Sequence, residues 1–408
     1  MAYDILTPQN IVSYILAIDS LRSFFGTDDI SVDEIGDGNL NYVYILKSKK
    51  DAAKALIVKQ AVPYLRCVGE TFPLSRERMN YEIRALNTFY ERSPEFIPKI
   101  HYADESMSLV VMQYLGKHII LRHGLMRGLR YPKLADDVST YLANALFYTS
   151  SLYLQSDKKR ELIDRFNSNT ELCKLTEDFV FTTAYMEHET NDNKNVKDNP
   201  LAAELFADMP FKEKVLCLKY KFMTQNDALL HGDLHTGSLM VNQDETYVID
   251  PEFAFVGPFG FDIGALLANF VNAYIHHTVV TADTDYQSWL LESIDALLEG
   301  FLQKFLRLWD QTESSALITP GFLDDATLSS FKNDFIRQIL RDTVGFAGCK
   351  MARRVFGVAG VAEIRGIEDK EKRAQAEAMA LSIAKRFVME HENIGSTKDI
   401  RDLITDER

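Results

Sequence analysis

The sequence predicts an α+β protein in two lobes: a small, β-rich N-terminal lobe over residues 1–112 and a larger, mainly helical C-terminal lobe over 117–408, joined by a hinge at 113–116. Three observations predict this. At 408 residues the chain exceeds what one simple core accommodates. Before Gly116, short runs of alternating or β-branched residues dominate; after it, apolar residues recur at helical spacing over long stretches.

Thr7-Pro8 followed by Ile11, Tyr14, Ile15 and Ile18 reads as a capped helix start with proline in the first helical position. Residues 31–35 and 42–47 read as strands around a glycine-containing turn, and 55–59 as a further short apolar strand. Residues 75–90 place Met79, Ile83, Leu86 and Phe89 on one helical face, and 109–112 form a buried-strand pattern. Beyond the hinge, residues 134–154, 202–223, 261–274, 289–308 and 371–390 carry helical apolar spacing. The polar run 187–200 reads as an exposed loop, and 239–242 and 246–249 as two short strands.

Composition narrows the function classes. A formal net charge of -14 argues against a nucleic-acid surface and against anionic lipid heads. Cys67, Cys173, Cys217 and Cys349 are widely spaced with no CxxC pair, and read as reduced thiols. The opening Met1-Ala2-Tyr3-Asp4 lacks the basic and apolar regions of a signal peptide. No stretch reaches the roughly 18 uninterrupted apolar residues of a membrane span. A soluble, cytoplasmic protein is the expectation.

The chemistry concentrates in two segments. His231-Gly232-Asp233-Leu234-His235-Thr236-Gly237-Ser238 sets a carboxylate between histidines and glycines just ahead of a strand, a loop suited to aim Asp233 into a cleft. Tyr247-Val248-Ile249-Asp250-Pro251-Glu252 ends an apolar strand in two acids, hard oxygen ligands suited to Mg²⁺ together with substrate phosphates. In the small lobe, Ile35-Gly36-Asp37-Gly38-Asn39-Leu40-Asn41 places Gly-x-Gly between strands, where backbone free of Cβ can approach phosphates. Lys59 on an apolar strand needs a partner for its ammonium; Glu82 on the next helix is the first choice and Glu77 the fallback.

The order glycine turn, strand lysine, helix glutamate, apolar strand, HGD loop, DPE resembles the small-molecule branch of the protein-kinase-like fold, the aminoglycoside and choline kinase type. More narrowly, the glycine run 35–41, residues 231–238, Asp250-Pro251-Glu252-Phe253-Ala254 and Lys350-Met351-Ala352-Arg353-Arg354 together resemble the 5-methylthioribose kinases, over nearly the whole chain. Ser238 stands where most relatives of the broader fold place a metal-binding Asn, and Glu252 where protein kinases have the Gly of DFG. Both departures are similar to features of the methylthioribose kinase branch.

The resemblance implies ATP-dependent phosphorylation of the anomeric hydroxyl of 5-methylthioribose to its 1-phosphate, in methionine salvage, by a homodimer. It makes Asp233 the catalytic carboxylate and Asp250 and Glu252 the Mg²⁺ ligands. Lys59, paired with Glu82, and the loop of Gly36, Gly38 and Asn41 would hold the ATP phosphates. The backbone of Gln113, Tyr114 and Leu115 would read the adenine edge. Asp262 would hold the catalytic-loop backbone, and Arg353 and Arg354 would lie against the sugar and the transferring phosphate.

Other readings fit less of the chain. His231, Asp233 and His235 as a metal-hydrolase cluster would lack a third strong ligand group and leave the DPE segment unexplained. A choline, aminoglycoside or homoserine kinase would share the ATP machinery and differ in the acceptor pocket, choline calling for an aromatic and acidic cage. A nucleotide-binding pseudokinase scaffold would not require Lys59, Asp233, Asp250 and Glu252 together.

Overall fold

A computed structural model describes residues 3–35, 40–65, 69–191 and 200–406. Gly36 and Gly38, with Cys67 and most of the 187–200 run, lie outside the described residues. The chain divides into two compact units, Met1–His118 with Tyr247–Ala254, and Ile119–Thr246 with Phe255–Arg408.

The first unit runs through α1 (Ile11–Leu16), α2 (Asp19–Phe25), β1 (Ile30–Glu34), β2 (Asn41–Ser48), β3 (Ala55–Ala61), a hairpin of β4 (Tyr64–Leu65) and β5 (Gly69–Pro73), α3 (Arg78–Tyr90), β6 (Ile100–Asp104) and β7 (Leu109–Gln113). Five strands form an antiparallel sheet in the order β1-β2-β3-β7-β6. Strand alternation sorts the sheet's faces. Leu56, Val58, Leu109 and Val111 meet Ile11, Ile15, Leu21 and Phe25 on one side. Ala61, Val110 and Met112 meet Met79 and Ile83 of α3 on the other. Lys59, two residues before Ala61, therefore faces α3. At the N-terminus Thr7 and Pro8 form a turn, and the helix starts at Ile11; the Asn10 side chain closes the turn by accepting the Thr7 N–H at 2.7 Å.

The second unit opens with β8 (Ile119–Ile120), α4 (Leu121–Met126), α5 (Leu134–Tyr148), α6 (Ser156–Phe166), α7 (Thr170–Phe181), α8 (Pro200–Ala207) and α9 (Met209–Thr224). Then come β9 (Ala228–Leu230), β10 (Leu239–Val241), and β11 (Thr246–Val248), where the chain crosses to the first unit. It returns in β12 (Phe255–Gly257) and ends in α10 (Gly260–His276), α11 (Thr284–Asp310), α12 (Asp325–Phe356), α13 (Lys370–Glu390) and α14 (Thr397–Thr405). β9 pairs with β12 and β10 with β8, so the 231–238 loop is anchored at both ends. Among the described residues one helix, Gly260–Thr281, is long and apolar enough to cross a membrane, and 78% of its most apolar window is buried inside the protein. Its place is the core.

The α+β expectation holds, with two corrections. The break falls after His118 and not at 112–117, and Tyr247–Ala254, expected in the larger lobe, packs with the first unit. Its turn, Pro251–Phe253, lies on α3, and its acids bond to β2 and β3. The long helix α12 escaped the periodicity because every residue from 342 to 356 is buried, leaving no polar face to mark a stripe.

Helices α10 and α12 approach so closely that a Cβ on Gly264 would lie 2.5 Å from the Thr343 carbonyl oxygen and 3.0 Å from the Ala347 nitrogen. Both are backbone atoms, so neither can rotate away. Gly264→Ala should destabilise the protein by roughly 1–3 kcal/mol, read as a lower midpoint in thermal or urea unfolding; an unchanged midpoint would contradict the packing described.

Candidate active site

In the first unit, the Lys59 ammonium donates to Glu82 Oε1 at 2.9 Å and to Asp250 Oδ1 at 2.6 Å. Glu77, the fallback partner, is exposed at the N-cap of α3. Burial works against the charge on Lys59, but Asp250, Glu82 and Glu252 outweigh it, and the group stays protonated. Asp250 takes a left-handed backbone, φ 64°, which Asp tolerates better than most residues. That turn leaves its side chain 45% exposed while one oxygen holds Lys59.

Glu252 is buried and accepts from Asn41 Nδ2 at 2.9 Å, with Arg78 Nε at 3.7 Å. Asn41 in turn accepts from Arg78 Nε at 3.1 Å. Both ends of the Asn41 amide are thus engaged within the protein, which makes it a brace for Glu252. The donor set of Asp250 and Glu252 is all hard oxygen, which fits a hard divalent cation. Burial raises the Glu82 carboxyl to about 8 against the pull of Lys59. Of the trio expected to read adenine, the Gln113 N–H is already committed to the Lys99 carbonyl at 2.9 Å and the Leu115 carbonyl to the His118 N–H at 3.0 Å.

In the second unit, the loop that carries Asp233 is held from beneath. Asp262, in the first turn of α10, accepts the His231 N–H at 2.6 Å and the Gly232 N–H at 3.0 Å. Gly232 needs its φ of 84° to present that amide. His231 Nδ1 accepts the Asp233 N–H at 3.3 Å, and His235 Nδ1 accepts the Gly237 N–H at 3.0 Å. Both histidines therefore spend Nδ1 on bracing the loop. Burial pushes His235 down to about 3, so it is neutral and turns Nε2 toward Asp233 Oδ2 at 3.5 Å. Ser238 donates to the Asp233 carbonyl at 3.0 Å, fixing the loop's other end.

The Asp233 side chain, 24% exposed, meets Lys350 Nζ at 3.1 Å. Burial would raise its carboxyl, but Lys350, His235, Arg353 and Arg354 hold it well below the ordinary carboxylate range. Lys350, Arg353 and Arg354 sit three and four residues apart on α12, the spacing that shares a face, and all three are buried. Arg354 donates to the Ala359 carbonyl at 2.6 Å, and burial lowers it, as does its neighbour Arg353. Burial pushes Lys350 down to about 8 against the pull of Asp233.

Comparison with known proteins decides the family. Residues 31–311 match the phosphotransferase enzyme family. A methylthioribose kinase of Geobacillus sp. is 40% identical over 404 residues, 98% of this chain and 96% of its own. Methylthioribose kinase 1 of rice (Oryza sativa subsp. japonica) is 38% identical over 94% of this chain and 91% of its own. The chain belongs to the methylthioribose kinases. Among solved structures, an ethanolamine kinase of Plasmodium vivax overlays 91% of this chain and 86% of its own with a TM-score of 0.47 at 12% identity.

As a methylthioribose kinase family member the chain is a phosphotransferase with an alcohol group as acceptor. Three residues of this neighbourhood carry no role in the sequence reading. Lys350 stands there only within the 350–354 motif; its spacing from the twin arginines is the available signal. Arg122 and Glu363, bonded at 3.0 Å, carry no local pattern, since 241 positions separate them. With Lys350 gone, burial would act on Asp233 against His235, Arg353 and Arg354 without the nearest cation. Lys350→Met should therefore move the acid limb of kcat/KM to higher pH; a limb that stays in place would remove Lys350 from the electrostatics of Asp233.

Proposed function

We propose that this enzyme transfers the γ-phosphate of ATP to the anomeric hydroxyl of 5-methylthioribose, giving the 1-phosphate, with Mg²⁺ as the divalent cation. The observation that carries the reading is near-full-length identity to methylthioribose kinases, 40% over 98% of the chain for the Geobacillus protein. An ionised, part-exposed carboxylate on a braced loop among buried cations supports it chemically.

In this reading Asp233 accepts a hydrogen bond from the anomeric hydroxyl, holds it in line with the γ-phosphorus and takes its proton late. A carboxylate held this far down is a weak base, which suits a transfer that depends on positioning and charge neutralisation more than on early deprotonation. Lys350 holds the other carboxylate oxygen, and Arg353 and Arg354 offset negative charge on the transferring phosphoryl group. In the first unit Lys59, kept charged by its carboxylates, binds the α- and β-phosphates, and the backbone of Tyr114 and Leu115 meets the adenine. Asp250 and Glu252 would hold Mg²⁺, which supplies charge neutralisation on the β- and γ-phosphates. We place the enzyme in methionine salvage, in the cytoplasm, as a homodimer.

The test is ADP release with methylthioribose, choline, homoserine and an aminoglycoside as acceptors. Turnover with methylthioribose alone is expected; turnover only with another acceptor would overturn the assignment. Asp233→Asn should bind ATP with Mg²⁺ at wild-type affinity yet lose nearly all transfer, and substantial residual turnover would refute its role. Arg354→Lys keeps the charge but loses the planar fork. It should lower turnover at saturating sugar, by up to ~10³-fold, whereas wild-type turnover there would exclude it from the chemistry.

A further inference from the structure

The segment between α12 and α13 is packed, not a plain surface connector: Val361, Glu363, Ile364 and Ile367 are all buried. Glu363, exposed by only 1%, gives Oε1 to Arg122 Nε at 3.0 Å. Its Oε2 is buried without a partner among the described residues. The Glu363 carbonyl meets His276 Nδ1 at 3.1 Å, and Arg122 Nη2 donates to Asn269 Oδ1 at 2.9 Å. Glu363 is therefore fixed against the side of α10 that carries Asn269 and His276. Asn272, three residues on from Asn269, lies on that same side. It too is buried, and neither its Oδ1 nor its Nδ2 has a partner among the described residues. Arg353 Nε is a fourth such buried atom among the described residues.

Buried polar atoms are nearly always paired in folded proteins, because leaving one unmatched is destabilising. Here Glu363 and Arg353 both act on Arg354 near Asp233, and Asn272 lies on the side of α10 against which Glu363 is fixed. The charges acting on Arg354 include Arg353, Asp233, Arg122 and Glu363, and Arg122 donates its backbone N–H to the Thr236 carbonyl of the catalytic loop at 3.0 Å. Resting on the acceptor assignment made above, we propose that Glu363 and Asn272 read the sugar's remaining ring hydroxyls, Glu363 accepting through Oε2 and Asn272 both accepting and donating. A hydroxyl offers one donor and two acceptor sites, which this pair complements. Arg122 already balances the Glu363 charge, so the subsite selects an uncharged polyol over a cationic acceptor.

The experiment measures kcat and KM for methylthioribose and for its 2-deoxy and 3-deoxy analogues, in wild type, Glu363→Gln and Asn272→Ala. On methylthioribose each variant should lose roughly 10- to 100-fold in kcat/KM, mostly through KM, with KM for ATP unchanged. On the analogue lacking the hydroxyl a residue reads, that variant should match wild type. An equal loss on all three acceptors, or no loss on any, overturns the proposal. Asn272→Ala leaves no unpaired charge and carries the test should Glu363→Gln fold poorly. Wild type inactive on methylthioribose overturns the acceptor assignment and this inference with it, an outcome visible before any variant is compared.

Discussion

Much of the second unit is organised around one electrostatic constraint: Asp233 is a single carboxylate set against three buried cations from one helix. Lys350, Arg353 and Arg354 lie on successive turns of α12, each desolvated and each within the field of Asp233. Charges buried in this way are tolerated only when paired or when a ligand's charge completes them. Asp233 supplies one negative charge. The remaining positive excess suits a phosphoryl group in transfer. Geometry follows from the same constraint, because Asp233 must stay where α12 can reach it. Asp262 pins two amides of the loop, and the glycine-mediated contact of α10 with α12 fixes Asp262 and Lys350 on adjoining helices.

The first unit gathers acids instead. Asp250 and Glu252, beside Lys59 and Arg78, offer hard oxygens that suit a divalent metal. The device that arranges it is local: strand alternation turns Lys59 toward α3, and a left-handed Asp250 ahead of Pro251 turns one acid outward while Glu252 stays buried on Asn41.

Much of this was legible in the sequence wherever the signal was local. The strands at 42–47 and 55–59, the helix carrying Glu82, the HGD loop and the DPE turn all announce themselves within short windows, through period-two or period-3.6 patterns and acids at strand ends. The hairpin of β4 and β5 and the strand β6 are too short or too polar to stand out. What stayed hidden depends on burial or on distant contacts. The fully buried end of α12 has no polar face, so its periodicity vanishes, and with it the role of Lys350. The Arg122–Glu363 pair and the orphaned amide of Asn272 exist only once α4, α10 and the 357–369 segment meet. The assignment of Tyr247–Ala254 to the first unit was likewise beyond a linear reading, because it is decided by bonds to Asn41 and Lys59 some two hundred positions away.

The most direct test of the account is the structure of the product. The protein incubated with ATP, Mg²⁺ and 5-methylthioribose is followed by phosphorus NMR with correlation to the sugar protons. The account predicts a single sugar phosphate whose phosphorus couples to the anomeric proton, formed in step with ADP. Phosphate on any other carbon, or ADP formed with no sugar phosphate, would contradict it.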